Sequence, residues 1–222
     1  MEITVQAYHE ESLRPEIGRL HAAVMAEAHD KDEVMRKVTA TVSALSAALK
    51  TLQGGDPAAV TEVVVRPITT SSWRPSNRGK LQPAQYTARC TLRADFVDVA
   101  ALADFAAAHG TMEGLNLQHV EWRLTEATRR DIEAACVTKA VIAARERALI
   151  MARAAGETDV RCLEVTDPGL LGDHSREMAD VGFAKGGAMM MRAAGAVEME
   201  GIEIQPDDLT LAATVHARFS TV

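Results

Sequence analysis

The sequence predicts an α+β protein: a two-layer sandwich in which a largely antiparallel sheet carries its helices on one face. Two observations carry this reading. Several segments alternate apolar and polar residues with a period of two, so each strand has one face to bury and one to wet. Three others repeat apolar residues at steps of three and four, the period of a helix with one buried stripe. The segments follow in the order β-β-α-β-β-α-β-α-β-β, and a sheet covered by helices on a single side satisfies both patterns.

Ile3, Val5 and Ala7 alternate with Glu2, Thr4 and Gln6 as a first strand. Pro15 and Gly18 make the segment ESLRPEIG turn-like. Leu20, Ala22, Val24, Ala26 and Ala28 form the apolar face of a second strand; His21, Glu27 and His29 lie opposite, with Met25 the exception on that polar face. Asp30 caps a helix, with Glu33 as its capping-box partner. Val34, Val38, Val42, Leu45, Leu49 and Leu52 make its stripe, and Gly54 and Gly55 end it. Residues 60–68 form a third strand closed by Pro67. The polar, turn-rich TTSSWRPSNRGKLQP reads as a long hairpin arm or loop.

Tyr86, Ala88, Cys90, Leu92 and Ala94 then alternate with Thr87, Arg89, Thr91 and Arg93. Asp95 is placed to cap a short helix through Val97, Ala101, Phe105 and Ala108, stopped by Gly110. Residues 115–124 form a fifth strand, and residues 125–156 one long helix. Ile132, Cys136, Ala140, Ala144, Ala148, Met151 and Ala155 line one face of that helix. Alanine has the best helix propensity, and a small-residue face lets a helix lie close to a sheet. Gly156 follows as a C′ cap. A short strand covers residues 160–165, and the last strand alternates from Leu209 to Phe219. Between them, residues 167–205 form a Gly/Met-rich insertion in what otherwise reads as a single domain over residues 1–222.

The formal net charge of −7 argues against a nucleic-acid partner and against anionic membrane surfaces. Aromatic residues make up 4% of the chain, too few for the stacking platforms of single-strand binders. No stretch approaches the ~20 apolar residues of a membrane span. Cys90, Cys136 and Cys162 are odd in number and far apart, which predicts reduced thiols. The N-terminus MEITVQAYHEE has no basic region leading into an apolar run, so a cytoplasmic protein is expected.

The ordered set of segments resembles the SIMPL-domain family. The opening strand ITVQA, the helix VTATVSALSAALKTL and the polar arm leading to QYTARCTLRADF carry the resemblance. So do GLNLQHVEWRL, the alanine-rich AVIAARERALIMARAAG with its closing glycine, and the turn QPDD before LTLAATVHARFS. The family is named for a mammalian signalling protein that associates with a pelle-like kinase, and its bacterial members include periplasmic immunogenic and oxidative-stress proteins. The segment EESLRPEIG departs from relatives, which tend to show a proline-aspartate pair there. The resemblance implies a self-assembling structural or stress-linked protein, with homo-oligomers expected, and carries over no catalytic site.

No catalytic, cofactor-binding or metal-ligating set is assigned. His21 and His29, eight residues apart on one strand, stand roughly 26 Å apart, too far to share a metal. His109 sits at a helix C-terminus, where a cation suits the dipole, and His216 points outward from the last strand. No histidine neighbours any cysteine in sequence, and no CxxC motif occurs. Glu126, Asp131 and Glu133 complement the dipole of the long helix. The glycines of the insertion show no phosphate-loop spacing.

Four residues are candidates for an interface. Trp73 lies in a polar arm with no stripe to bury it, and tryptophan is enriched at interface hot spots. Met189, Met190 and Met191 are apolar but outside any core pattern; consecutive methionines point in different directions, which argues against a preformed soft-metal site and for adaptable packing at an interface. The expectation is a non-enzymatic protein that assembles with itself. The alternative is a small-molecule binding module or an enzyme with a pocket between the helices and the sheet.

Overall fold

The structure, a computed structural model, describes residues 1–77, 80–168 and 205–222. The elements in chain order are β1 (Glu2–Leu13), β2 (Ile17–Ala28), α1 (Lys31–Gln53), β3 (Val60–Val65), β4 (Thr69–Trp73), β5 (Ser76–Asn77), β6 (Lys80–Leu81), β7 (Gln85–Phe96), α2 (Val99–His109), β8 (Leu115–Arg123), α3 (Glu126–Ala154), β9 (Val160–Thr166) and β10 (Leu209–Thr221). They divide between two compact units, one holding β2 to β8 with α1 and α2, the other holding β1, α3, β9 and β10.

In the first unit the strands lie in the order β3-β7-β2-β8, with β4 also paired to β7, and every pairing is antiparallel. Alternation puts Leu20, Ala22 and Val24 of β2 and Ala88, Cys90, Leu92 and Ala94 of β7 on the buried face. Val34, Val38, Leu45 and Leu49 of α1 and Leu102 and Phe105 of α2 pack onto that face as one cluster. Full burial of each such aliphatic or aromatic side chain contributes roughly 1.5–3 kcal/mol. Asp30 caps α1 by accepting from the Asp32 amide at 2.9 Å.

In the second unit the order is β1-β10-β9, again antiparallel, under the single helix α3. Ile3, Val5 and Ala7 stand opposite Phe219, Ala217 and Val215. Cys136, Ala140, Ala144, Ala148 and Ala152 are the buried row of α3. The α+β class and the one-sided layering hold in both units. The strands are shared between two sheets, because β1 takes the distant β10 as its partner while β2 pairs with β7 and β8.

Two local expectations change, and a third is narrowed to the hairpin arm. Asp95 does not cap α2; it lies within β7 facing Arg19, and Asp98 is the cap, accepting from the amides of Ala100 and Ala101 at 2.9 and 3.3 Å. The buried row of α3 continues to Ala152, leaving Met151 and Ala155 exposed. A row in unbroken steps of four follows one ridge of the helix surface, so the helix seats a ridge, not an axial stripe, on the sheet. The polar arm after Pro67 holds a true strand, β4, and a short β5–β6 pair. Gly156 adopts φ 92°, as its capping position requires.

Candidate functional site

Two surfaces gather side chains that local sequence does not bring together. The first is the wet face of the five-stranded sheet. The registers set Glu62 opposite Asp95, Asp95 opposite Arg19, and Arg19 opposite Glu121. One pair further along, Arg93 faces His21 and His21 faces His119. Arg19 donates from Nε and Nη2 to the two carboxylate oxygens of Asp95, both at 2.7 Å. This bidentate fork is the strongest form of the pair. Its Nη2 also reaches Glu62 at 3.4 Å, and Arg93 Nη2 reaches the other Glu62 oxygen at 3.3 Å.

Asp95 is 5% exposed. Burial pushes its pKa up, but the hydrogen bonds from Arg19 and the charges of Arg19, Arg123 and Arg93 outweigh it and hold the carboxyl below the usual aspartate value. The rings of His21 and His119 stack with centroids 4.5 Å apart, and His21 Nε2 lies 3.4 Å from Glu121. The carboxylates of this row are paired with its own arginines and histidine, so it presents an organised polar surface. Arg93 Nε is buried without a partner.

The second surface is a groove of about 450 Å³ in the other unit, between the edge of β1 and α3. Consecutive residues 4–8 of β1 form one wall, and Arg147 and Met151 of α3 the other. Consecutive residues of both faces line it, so it runs along the strand's edge. Arg147 is its single ordinarily charged side chain. Beyond it, Tyr8 donates its hydroxyl to Glu10, which raises the phenol pKa. Lys139 donates to Glu11 and lowers the pKa of that carboxyl.

Trp73 is 54% exposed on β4, a strand exposed along its whole length. Met189, Met190 and Met191 lie outside the described residues, as does most of the 167–205 insertion. His29 Nδ1 sits 3.3 Å from the Ala84 carbonyl, and the His109 ring packs on Phe105 at 4.6 Å. His216 stands half-buried in β10 between Gln6 and Thr166. Glu126 and Glu133 form helix ion pairs with Arg130 and Arg129. Cys90, Cys136 and Cys162 are free, the first two buried and the last exposed. Burial pushes the Cys90 and Cys136 thiols up. Among the described residues no three of His, Cys, Asp and Glu converge on a metal position, and no helix is long and apolar enough to cross a membrane.

Sequence reasoning passed over His119, Glu121 and the β1 edge, and it gave Asp95 a capping role in place of its pairing with Arg19. Each depends on which strands pair, and alternation carries no partner information.

These features define an antiparallel α+β protein whose distinctive surfaces are a charged sheet face and an open strand edge. The profile of SIMPL, described as a protein of unknown function (DUF541), matches residues 3–219, nearly the whole sequence. The chain belongs to the SIMPL family. No curated protein matches it.

Proposed function

We propose that the protein is a non-enzymatic component that assembles into homo-oligomers in the cytoplasm, as a scaffold or as part of a stress response. The observation that carries this reading is Trp73, half exposed on a strand with no core to serve. Large exposed aromatics are typical anchors of interfaces. The second unit adds exposed Met151, Leu163 and Val165. Free thiols, one of them exposed, suit a reducing compartment. The net charge of −7 disfavours a nucleic-acid partner.

Native mass by light scattering across a concentration series tests assembly directly. The expected result is an oligomer that weakens at least tenfold in Trp73→Ala, the loss of about 1.4 kcal/mol or more that a hot-spot residue carries. A wild type that stays monomeric at high micromolar concentration overturns the proposal. An oligomer unaffected by Trp73→Ala removes Trp73 from the interface.

A second reading, a small-molecule binding module, draws support from Arg93 Nε, which has no partner although Nη2 of the same side chain reaches Glu62, opposite His21 in the sheet. An anionic group is the ligand chemistry to which a guanidinium N–H without a partner would donate. Calorimetric titration with small carboxylates, repeated on Arg93→Gln, checks it.

A further inference from the structure

The self-assembly proposed above leaves open which surface joins the copies in the unit built on α3. Among the described residues, β1 and β9 are the edge strands of its sheet, each paired to β10 on one side. Natural proteins protect such edges with charge, proline, bulges or shortness, because an open edge recruits another strand. β9 is protected: it is seven residues long, carries Arg161 and Glu164, and bulges where β10 passes from Arg218 to Phe219. β1 is not. It is 12 residues long and pairs with β10 in unbroken register. From Ile3 to Tyr8 it holds no charged residue and no proline. Its acidic residues Glu2, Glu10 and Glu11 flank that stretch on either side. The groove lined by residues 4–8 runs along this same bare edge.

We infer that the β1 edge is a docking site for β1 of a second copy, paired antiparallel about a two-fold axis at Val5. This inference rests on the self-assembly reading. Register selects the axis. Centred on Val5, the pairing sets Val5 against Val5, Thr4 against Gln6, Ile3 against Ala7 and Glu2 against Tyr8. Opposed residues share a face, so Ile3, Val5 and Ala7 stay on the helix side of both sheets and no like charges meet. Centred one residue on, at Gln6, it would set Glu2 against Glu10. Every residue lining the β1 wall of the groove has a partner in the Val5 register, and the two three-stranded sheets become one of six strands.

Helix spacing agrees. α3 packs chiefly on β1 and β10 and little on β9. Its axis therefore lies about half a strand spacing, ~2.4 Å, inside β1. Adding the ~4.8 Å between two paired β1 strands puts the two α3 axes about 10 Å apart, the distance at which helices pack. Arg147 and Met151, the helix wall of the groove, would face the partner's helix; Met151 is 43% exposed in the single chain.

The test uses the full chain. Thr4→Lys with Gln6→Lys sets lysine against lysine at both flanks of the axis; Thr4→Glu with Gln6→Glu does the same with carboxylates. Both positions are exposed in the single chain. Each double variant is expected to raise the dissociation constant of this contact at least tenfold by native mass, and an equimolar mixture to restore wild-type association. Hydrogen exchange on the wild-type peptide spanning residues 1–9 provides a readout independent of substitution, and its exchange should slow as concentration drives assembly. If the wild type is an oligomer but residues 1–9 exchange equally fast at all concentrations, or if the mixture associates no better than either variant, the β1 contact is overturned while self-assembly stands. A monomeric wild type overturns both.

Discussion

Asp95 is buried yet stays charged, because Arg19 grips both of its oxygens at 2.7 Å. Removing one member of a buried pair leaves the other uncompensated, so Arg19→Ala is expected to cost about 3 kcal/mol near neutral pH. The pH dependence follows from the lowered Asp95 pKa. The pair's stabilisation is fully present above the unfolded aspartate value of about 3.9 and is lost as pH falls through the lower folded value. In the variant, burial without a partner raises the Asp95 pKa, and acid then neutralises a buried charge. The gap between wild type and variant should therefore shrink between pH 7 and pH 3 in urea denaturation. An equal cost at both pH values would show that Arg19 acts through packing alone. The cysteines give a second check at this scale. Cys162 is exposed, while the buried Cys90 and Cys136 have raised thiol pKa values. Native protein should expose one thiol to an aromatic disulfide reagent within minutes, and denatured protein three. Rapid reaction of all three in the native state would contradict the burial of α3 and β7.

α3 places five small side chains at steps of four against its sheet, each 1% exposed or less. Ala148→Leu adds three carbons where no space exists, and overpacking of this kind costs roughly 1–3 kcal/mol. A lower denaturation midpoint at unchanged slope is the expected result; an unchanged midpoint would mean that this face tolerates a larger side chain. The same helix shows where sequence is legible. Its existence, its alanine face and its Gly156 cap follow from periodicity and propensity, which are local. The exact row, ending at Ala152 and not at Met151 and Ala155, depends on which ridge meets the sheet. Strands repeat the lesson. The alternations of β1, β2, β7 and β10 mark their buried faces correctly, yet nothing in ITVQA says that it pairs with a strand more than 200 residues away. The row from Glu62 to His119 is invisible for that reason, since its members come from four strands. Asp95 was legible as a capping type, but Asp98, three residues on, serves equally by composition and is the one the register leaves free.

The whole molecule carries a formal charge of −7, with a sequence pI near 5.5. Two copies brought together therefore repel at neutral pH. The proposed β1 contact supplies little to offset this by charge, because its paired residues from Ile3 to Ala7 are uncharged and the groove holds only Arg147 as an ordinarily charged side chain. Its favourable terms are backbone hydrogen bonds and apolar burial, neither of which salt screens strongly. The net repulsion, in contrast, is long-range. The screening length falls from ~30 Å at 0.01 M salt to ~8 Å at 0.15 M. Raising salt over that range should tighten association, and lowering pH toward 5.5 should do the same by reducing net charge. Light scattering at fixed protein concentration checks both. A native mass that falls as salt rises would identify contacts held by ion pairs, and would move the interface away from the β1 edge toward charged surfaces such as the row around Arg19, Glu62 and Glu121.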